Sequence, residues 1–149
     1  MKVLHRVALR IERSGGAGYA REALLEDARQ KTVSAAVSLA NSLPRSKLVV
    51  FTRHGTMARY VSNLRPEHAP IFAFTPNEQV YRQLAICWGT FPVRIDFTED
   101  PNATIEAAEK YLRAAKLIVP NDNLVILSDV RAGEALVDCV QLRAVGSRA

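Results

Sequence analysis

Eight consecutive residues, Thr52-Arg53-His54-Gly55-Thr56-Met57-Ala58-Arg59, gather anion chemistry into one short turn. Thr52 and Thr56 carry hydroxyl donors, and Arg53 and Arg59 carry guanidinium groups suited to charge-assisted bonds with phosphate oxygens. Gly55 lets the backbone approach a ligand closely. The turn follows the apolar run "KLVVF" and opens a helical pattern, so its amides lie where the helix dipole favours negative charge. Together these residues read as a phosphate cradle. The loop is neither a Walker A motif, because the Gly-Lys-Ser/Thr ending is missing, nor the three-glycine dinucleotide fingerprint. The same residues also have a purely structural reading, with Thr52 and Thr56 as helix caps, Gly55 as a turn former and both arginines solvated.

Other reactive side chains offer less. No nucleophile with an orienting acid can be paired with His54, and His5 and His68 read as surface residues, so no catalytic residue is assigned. Thr75, Asn77 and Glu78 in "TPNEQ" fit a helix cap. Trp88 fits core packing, with ligand stacking as the alternative because it is expected in a strand-to-helix connection. "EDPN" and the pair Asp129 and Glu134 are acids in loops, which are usually solvated or capping, so no metal site is assigned. Cys87 and Cys139 sit in apolar contexts without metal-ligand spacing and are expected as buried, reduced thiols. Nothing in the chain calls for a cofactor.

The elements that position the turn follow from hydrophobic periodicity. Residues 2–13 pattern as a short amphipathic helix, stopped by "SGGAG". A longer helix is expected from Tyr19 to Leu43, ended by Pro44. Beyond it, short apolar runs alternate with helical patterns: "KLVVFT", "GTMARYVSNL", "PIFAFT", "NEQVYRQLAICW", "FPVRIDF" and "NATIEAAEKYLRAA". Such alternation predicts an α/β fold of three layers, with mainly parallel strands and right-handed crossovers. Two final runs, "NLVILSDV" and "DCVQLRAV", joined by "RAGEALV", predict a hairpin that adds one antiparallel edge strand. Ligands of open α/β sheets bind beyond the carboxyl ends of the strands, so the loops of interest start at Thr52, Thr75, Asp96 and Ser128.

Composition sets the outer bounds. A chain of 149 residues with 48% hydrophobic content supports one compact core. Its longest apolar runs fall short of the roughly 20 residues of a membrane span, and no leader pattern opens the chain, so a cytoplasmic protein without membrane contact is expected. The net charge of +5 comes from dispersed arginines with no basic run or aromatic platform, so an anionic small molecule fits as well as a polymer does, and no nucleic-acid partner is assigned.

Taken in order, the segments of "VVFTRHGTMARYVSNLRPEHAPIFAFTPNEQVYRQLAICWGTFPV" resemble the C-terminal domain of pyruvate kinase. The pattern of that family runs strand, Thr-Lys/Arg-Ser-Gly, helix, "RP.AP", strand, "T.N", helix, "WG..PV". The resemblance covers residues 19–145, and "LHRVALRIER" is similar to the helix that leads into this domain. It implies a division into a lead-in helix and Gly-rich turn at 1–18 and the domain itself at 19–149. It further implies a five-stranded α/β domain whose first loop holds the phosphate of an allosteric sugar phosphate, with Thr52, Arg53, His54, Gly55, Thr56 and Met57 lining the pocket. His54 replaces the usual Ser, Thr56 the common Arg, and Met57 a Ser or Thr. In place of a glycine-rich effector loop the chain has "SDVRAGEALVDCVQL", where Asp129 and Glu134 oppose a bisphosphate.

Two functions are therefore expected of the sequence. The first is a regulatory module, non-catalytic without the family's barrel domain, that binds a phosphorylated small-molecule effector at Thr52–Met57 with help from Arg59. The alternative is a subunit-interaction module with a degenerate effector site. Its partners would be a second copy in a homodimer or the pyruvate kinase catalytic domain.

Overall fold

The computed structural model describes residues 2–13, 23–132 and 135–146. Helix α1 spans Lys2–Arg13. Helix α2 spans Ala28–Ser42, so it starts later than the expected Tyr19. The cause is local: Asp27 is extended and its carboxylate accepts the Gln30 N–H at 2.7 Å, while Gln30 Oε1 accepts the Glu26 N–H at 2.7 Å. The Asp27 cap satisfies a first-turn amide that would otherwise be orphaned and sets the first turn. Residues 19–22 of the expected helix, and 14–18 of the Gly-rich turn, lie outside the described residues.

The remaining elements are β1 (Ser46–Phe51), α3 (Thr56–Asn63), β2 (Ile71–Thr75), α4 (Glu78–Leu84), β3 (Thr90–Arg94), α5 (Pro101–Ala114), β4 (Asn123–Ala132) and β5 (Ala135–Ala144). The five strands form one sheet in the order β3-β2-β1-β4-β5. The first four are parallel, and β5 runs antiparallel to β4 along the edge. This is the mixed three-layer α/β architecture that the alternating pattern predicts.

Both faces of the sheet are covered, which is why β1 and β2 read as unbroken apolar runs rather than alternating ones. Leu48, Val50, Val125 and Leu127 point to one side and pack with Val33 and Val37 of α2, Val61 of α3 and Leu84 of α4. Val49, Phe51, Phe74, Leu124 and Ile126 point to the other and pack with Ile105, Ala108 and Leu112 of α5. Burying large aliphatic and aromatic side chains of this kind contributes roughly 1.5–3 kcal/mol each.

Several expectations are corrected. The connection "RAGEALV" is mostly strand: β4 continues to Ala132 and β5 resumes opposite it at Ala135. Only residues 133–134 join them, and Glu134 lies outside the described residues. Helix α4 stops at Leu84, so "AICW" is turn rather than helix. Trp88 therefore precedes β3, in a helix-to-strand connection at the amino end of the sheet, away from the carboxyl-end loops. There Arg65 stacks over its ring at 5.7 Å. Cys87 and Cys139 are free thiols, half-buried rather than buried. Among the described residues no helix is long and apolar enough to cross a membrane.

Candidate functional site

The Thr52–Gly55 turn is built by two hydrogen bonds and one backbone conformation. The Thr52 N–H extends the parallel ladder to the Phe74 carbonyl at 3.0 Å, and its buried hydroxyl oxygen accepts the Gly55 N–H at 2.9 Å. Gly55 adopts a left-handed conformation, φ 82°, and a Cβ there would meet Val80 Cγ1 at 3.2 Å. Both facts call for glycine. Gly55 is also the N-cap of α3 and supplies no side-chain cap, so the first amides of α3 remain available to solvent or an anion.

This turn forms one wall of a cleft of about 690 Å³ at the carboxyl ends of β1 and β4. In the observed strand order these neighbours lead the chain to opposite sides of the sheet, which makes their ends the topological switch point. Phe51, Arg53 and His54 come from β1 and its turn, and Ser128 and Asp129 from β4. Phe97, Thr98 and Glu99 close the cleft from the β3–α5 connection, with Pro101, Thr104 and Ile105 from the first turns of α5. Phe97 packs edge-on against Phe51 at 5.8 Å, and the Arg53 guanidinium lies over the Phe97 ring at 5.1 Å. A cation is thus held at the cleft by an aromatic ring that the core itself positions.

Of the seven loop residues singled out in the sequence, the cleft brings together Arg53 and His54, both exposed. Thr52 and Gly55 are buried supports of the turn, and Thr56 is half-buried at the start of α3. Arg59 is exposed on α3 and does not line the cleft. Met57 departs from the expected lining role: at 3% exposure its side chain belongs to the core beneath α3. The capping readings elsewhere match the geometry. Asn77 Oδ1 accepts the Gln79 and Val80 amides at 2.8 and 3.2 Å, and Asp100 of "EDPN" accepts the Asn102 amide at 2.9 Å.

The electrostatics at the β4 side were not legible from spacing alone. Asp129 faces Asp138 directly across the β4–β5 ladder. Arg29 of α2 joins them unequally: its Nε donates to Asp138 Oδ2 at 2.9 Å and its Nη2 lies 2.9 Å from Asp138 Oδ1, but 3.9 Å from Asp129 Oδ1. The hydrogen bond from Arg29 holds the Asp138 carboxyl below its ordinary pKa. Burial and then the Asp138 carboxyl push Asp129 up, against the pull of Arg29. Beside Asp129, Ser128 is 4% exposed and its hydroxyl has no hydrogen-bond partner among the described residues. Among the described residues no group of three His, Cys, Asp or Glu side chains is arranged to hold a metal ion.

A larger, shallower groove of about 930 Å³ lies at the other end of α5, near Lys110, Arg113, Ile118 and Val119. Arg113 is already paired there with Glu109 at 2.8 Å, and the groove contains no buried polar group lacking a partner. The cleft at β1 and β4 is therefore the candidate site.

Comparison with known proteins converges on one family. The family model described as "Pyruvate kinase, alpha/beta domain" matches residues 30–140. The chain is 31% identical over 139 residues to the chloroplastic pyruvate kinase isozyme A of Nicotiana tabacum, covering 87% of this chain and 23% of that protein. It is 32% identical over 139 residues to the corresponding isozyme of Ricinus communis, covering 87% and 24%. With the pyruvate kinase of Lactococcus lactis subsp. lactis it shares 36% over 119 residues, covering 77% and 23%. The matched segment thus spans less than a quarter of the length of each of these relatives.

Proposed function

The chain belongs to the pyruvate kinase alpha/beta domain family, and from that premise we propose that it is a regulatory module that binds a phosphorylated metabolite, or phosphate itself, in the cleft beside the Thr52–Met57 loop. The observation that carries this reading is the Arg53 guanidinium held over Phe97 in the lining of the cleft, on the turn that leads directly into the uncapped N-terminus of α3. Both favour an anion, one through charge and the other through directed amides. On this reading the chain is not catalytic by itself. The chemistry that the family resemblance implies belongs to a (β/α)₈ barrel of roughly 250 residues, more than this chain of 149 contains.

Titration of the full chain by two-dimensional NMR with inorganic phosphate, fructose 1,6-bisphosphate, glucose 6-phosphate, ribose 5-phosphate and AMP tests the proposal. Saturable shifts around Thr52–Arg59 are expected, with Arg53→Ala weakening affinity about tenfold, the worth of one charge-assisted hydrogen bond. Silence with every ligand at millimolar concentration removes the proposal.

A second reading rests on β5. This ten-residue strand ends the sheet, and Val137 and Leu142 on it are 45% and 50% exposed. An edge of that length pairs readily with a second copy across a two-fold axis. Sedimentation velocity at increasing concentration tests this: a dimer supports a subunit-interaction role, and a persistent monomer rules out self-pairing.

A further inference from the structure

We propose that the cleft takes a monoanion carried on a flat, apolar body, in its simplest form an aryl monophosphate, in preference to a sugar phosphate, and that the Ser128 hydroxyl binds a polar atom on that body. The proposal rests on the reading of the cleft as an anion site and names the class of molecule that fills it.

The face of the sheet on which each residue stands is set by the alternation of the strands. Leu124 and Ile126 of β4 pack on the α5 side, as do Val49 and Phe51 of β1, so Ser128, two positions beyond Ile126, stands on that side as well. The register pairs Val50 with Leu127, which makes the next two residues, Phe51 and Ser128, neighbours on the α5 face. Ile105 and Phe97 pack over the same face, and the Arg53 guanidinium lies over the Phe97 ring at 5.1 Å. This side of the cleft therefore has apolar walls, a cation at Arg53 and a hydroxyl at Ser128.

Ser128 is 4% exposed and lines the cleft, and its hydroxyl has no partner among the described residues, although buried hydroxyls ordinarily find one. The two threonine hydroxyls that line the cleft are already committed. Thr98 Oγ1 donates to the Asp100 carbonyl at 2.7 Å, and Thr104 Oγ1 lies 2.9 Å from Thr98 Oγ1 while accepting the Thr98 N–H at 3.0 Å. With the Thr98 proton directed to Asp100, the proton shared by the two hydroxyls is that of Thr104. Among the described residues, Ser128 thus keeps a donor and an acceptor open to a ligand. A sugar phosphate brings several hydroxyls, to which Phe51, Phe97 and Ile105 offer no partner; each one desolvated there costs about tenfold in affinity. An aromatic body gains from the same walls by apolar burial and ring packing. One polar atom on it satisfies Ser128.

Isothermal titration of the full chain with phenyl phosphate, its 3-hydroxy and 4-hydroxy derivatives, glucose 6-phosphate and inorganic phosphate tests the proposal, with NMR of the Ile105 methyl groups as a local readout. Phenyl phosphate is expected to bind about tenfold more tightly than glucose 6-phosphate or inorganic phosphate and to shift the Ile105 methyl resonances through its ring current. At least one of the two hydroxylated probes should bind about fivefold more tightly than phenyl phosphate, the worth of one neutral hydrogen bond. In Ser128→Ala that advantage should fall to about onefold while phenyl phosphate binds as before. Because the hydroxyl is unpartnered in the free chain, the Tm of Ser128→Ala should equal or exceed that of the parent, which also establishes that the variant is folded. If glucose 6-phosphate binds as tightly as phenyl phosphate, the ligand class is wrong while the anion site stands. A hydroxyl advantage that survives in Ser128→Ala, or a lowered Tm in that variant, removes the role of Ser128. If none of the five probes binds, the anion site and the ligand class fail together.

Discussion

At the residue scale, Gly55 shows how tightly structure and candidate function are tied in this loop. Its left-handed φ of 82° and the 3.2 Å approach of Val80 to a hypothetical Cβ give it a structural role independent of any ligand. Gly55→Ala is expected to cost about 2 kcal/mol, from the left-handed backbone and the forced shift of Val80. Scanning calorimetry should show Tm lowered by about 5 °C; an unchanged Tm would mean that the turn relaxes at no cost. The glycine was visible in the sequence. Its reason was not, because the contact comes from α4, 25 residues further along the chain.

At the element scale, the two edges of the sheet are managed differently. Pro92 interrupts the short edge strand β3 by removing a backbone donor, the usual guard against edge pairing. Strand β5 carries no proline and presents Leu142 half-exposed. If self-pairing occurs, Leu142→Lys is expected to shift the dimer seen by sedimentation to monomer while leaving the fold intact. Retention of the dimer would place the contact on another element. The alternation of strands and helices, the antiparallel ending and the caps at Asn77 and Asp100 were all readable, since each depends on residues a few positions apart. The start of α2 was misread because Ala23, Leu24, Leu25 and Glu26 favour helix by propensity. The Asp27 cap overrides that preference.

At the scale of the whole molecule, hydrogen-bonded carboxylates link distant segments and give stability a defined pH dependence. Asp122, with its side chain 3% exposed, accepts the Val119 N–H at 2.9 Å and pairs with Arg45 at 2.9 Å, joining the start of β1 to the start of β4. Burial pushes its pKa up, but the Val119 and Arg45 hydrogen bonds outweigh that and leave it below the ordinary value. Asp122 and Asp138, both lowered, stabilise the fold above their unfolded pKa near about 4 and lose that contribution as pH falls through their folded values. Asp129, raised, has the opposite sign: the folded state takes up its proton first, so its contribution grows as pH drops from neutral toward about 4. Urea denaturation between pH 7 and 3 should therefore show stability rising slightly and then falling. Asp129→Asn should remove the rise and keep the fall; a rise that persists would assign it to another group.

What the sequence determined by itself is what depends on neighbours along the chain: the three-layer α/β class, the antiparallel final strand, the glycine turn that opens a helix at Thr52–Gly55 and the family to which they point. The tertiary structure decided the composition of the cleft. Phe97 reaches Arg53 from a separate connection, Met57 turns into the core, and Arg29 crosses 109 residues of chain to bind Asp138. The pairing of Asp129 with Asp138 lies between these cases, since a two-residue turn at 133–134 would have put them opposite each other. Local hydrogen bonding and period set the first group of features. The second depends on which surfaces meet once the sheet is assembled, and no spacing within a single segment encodes that.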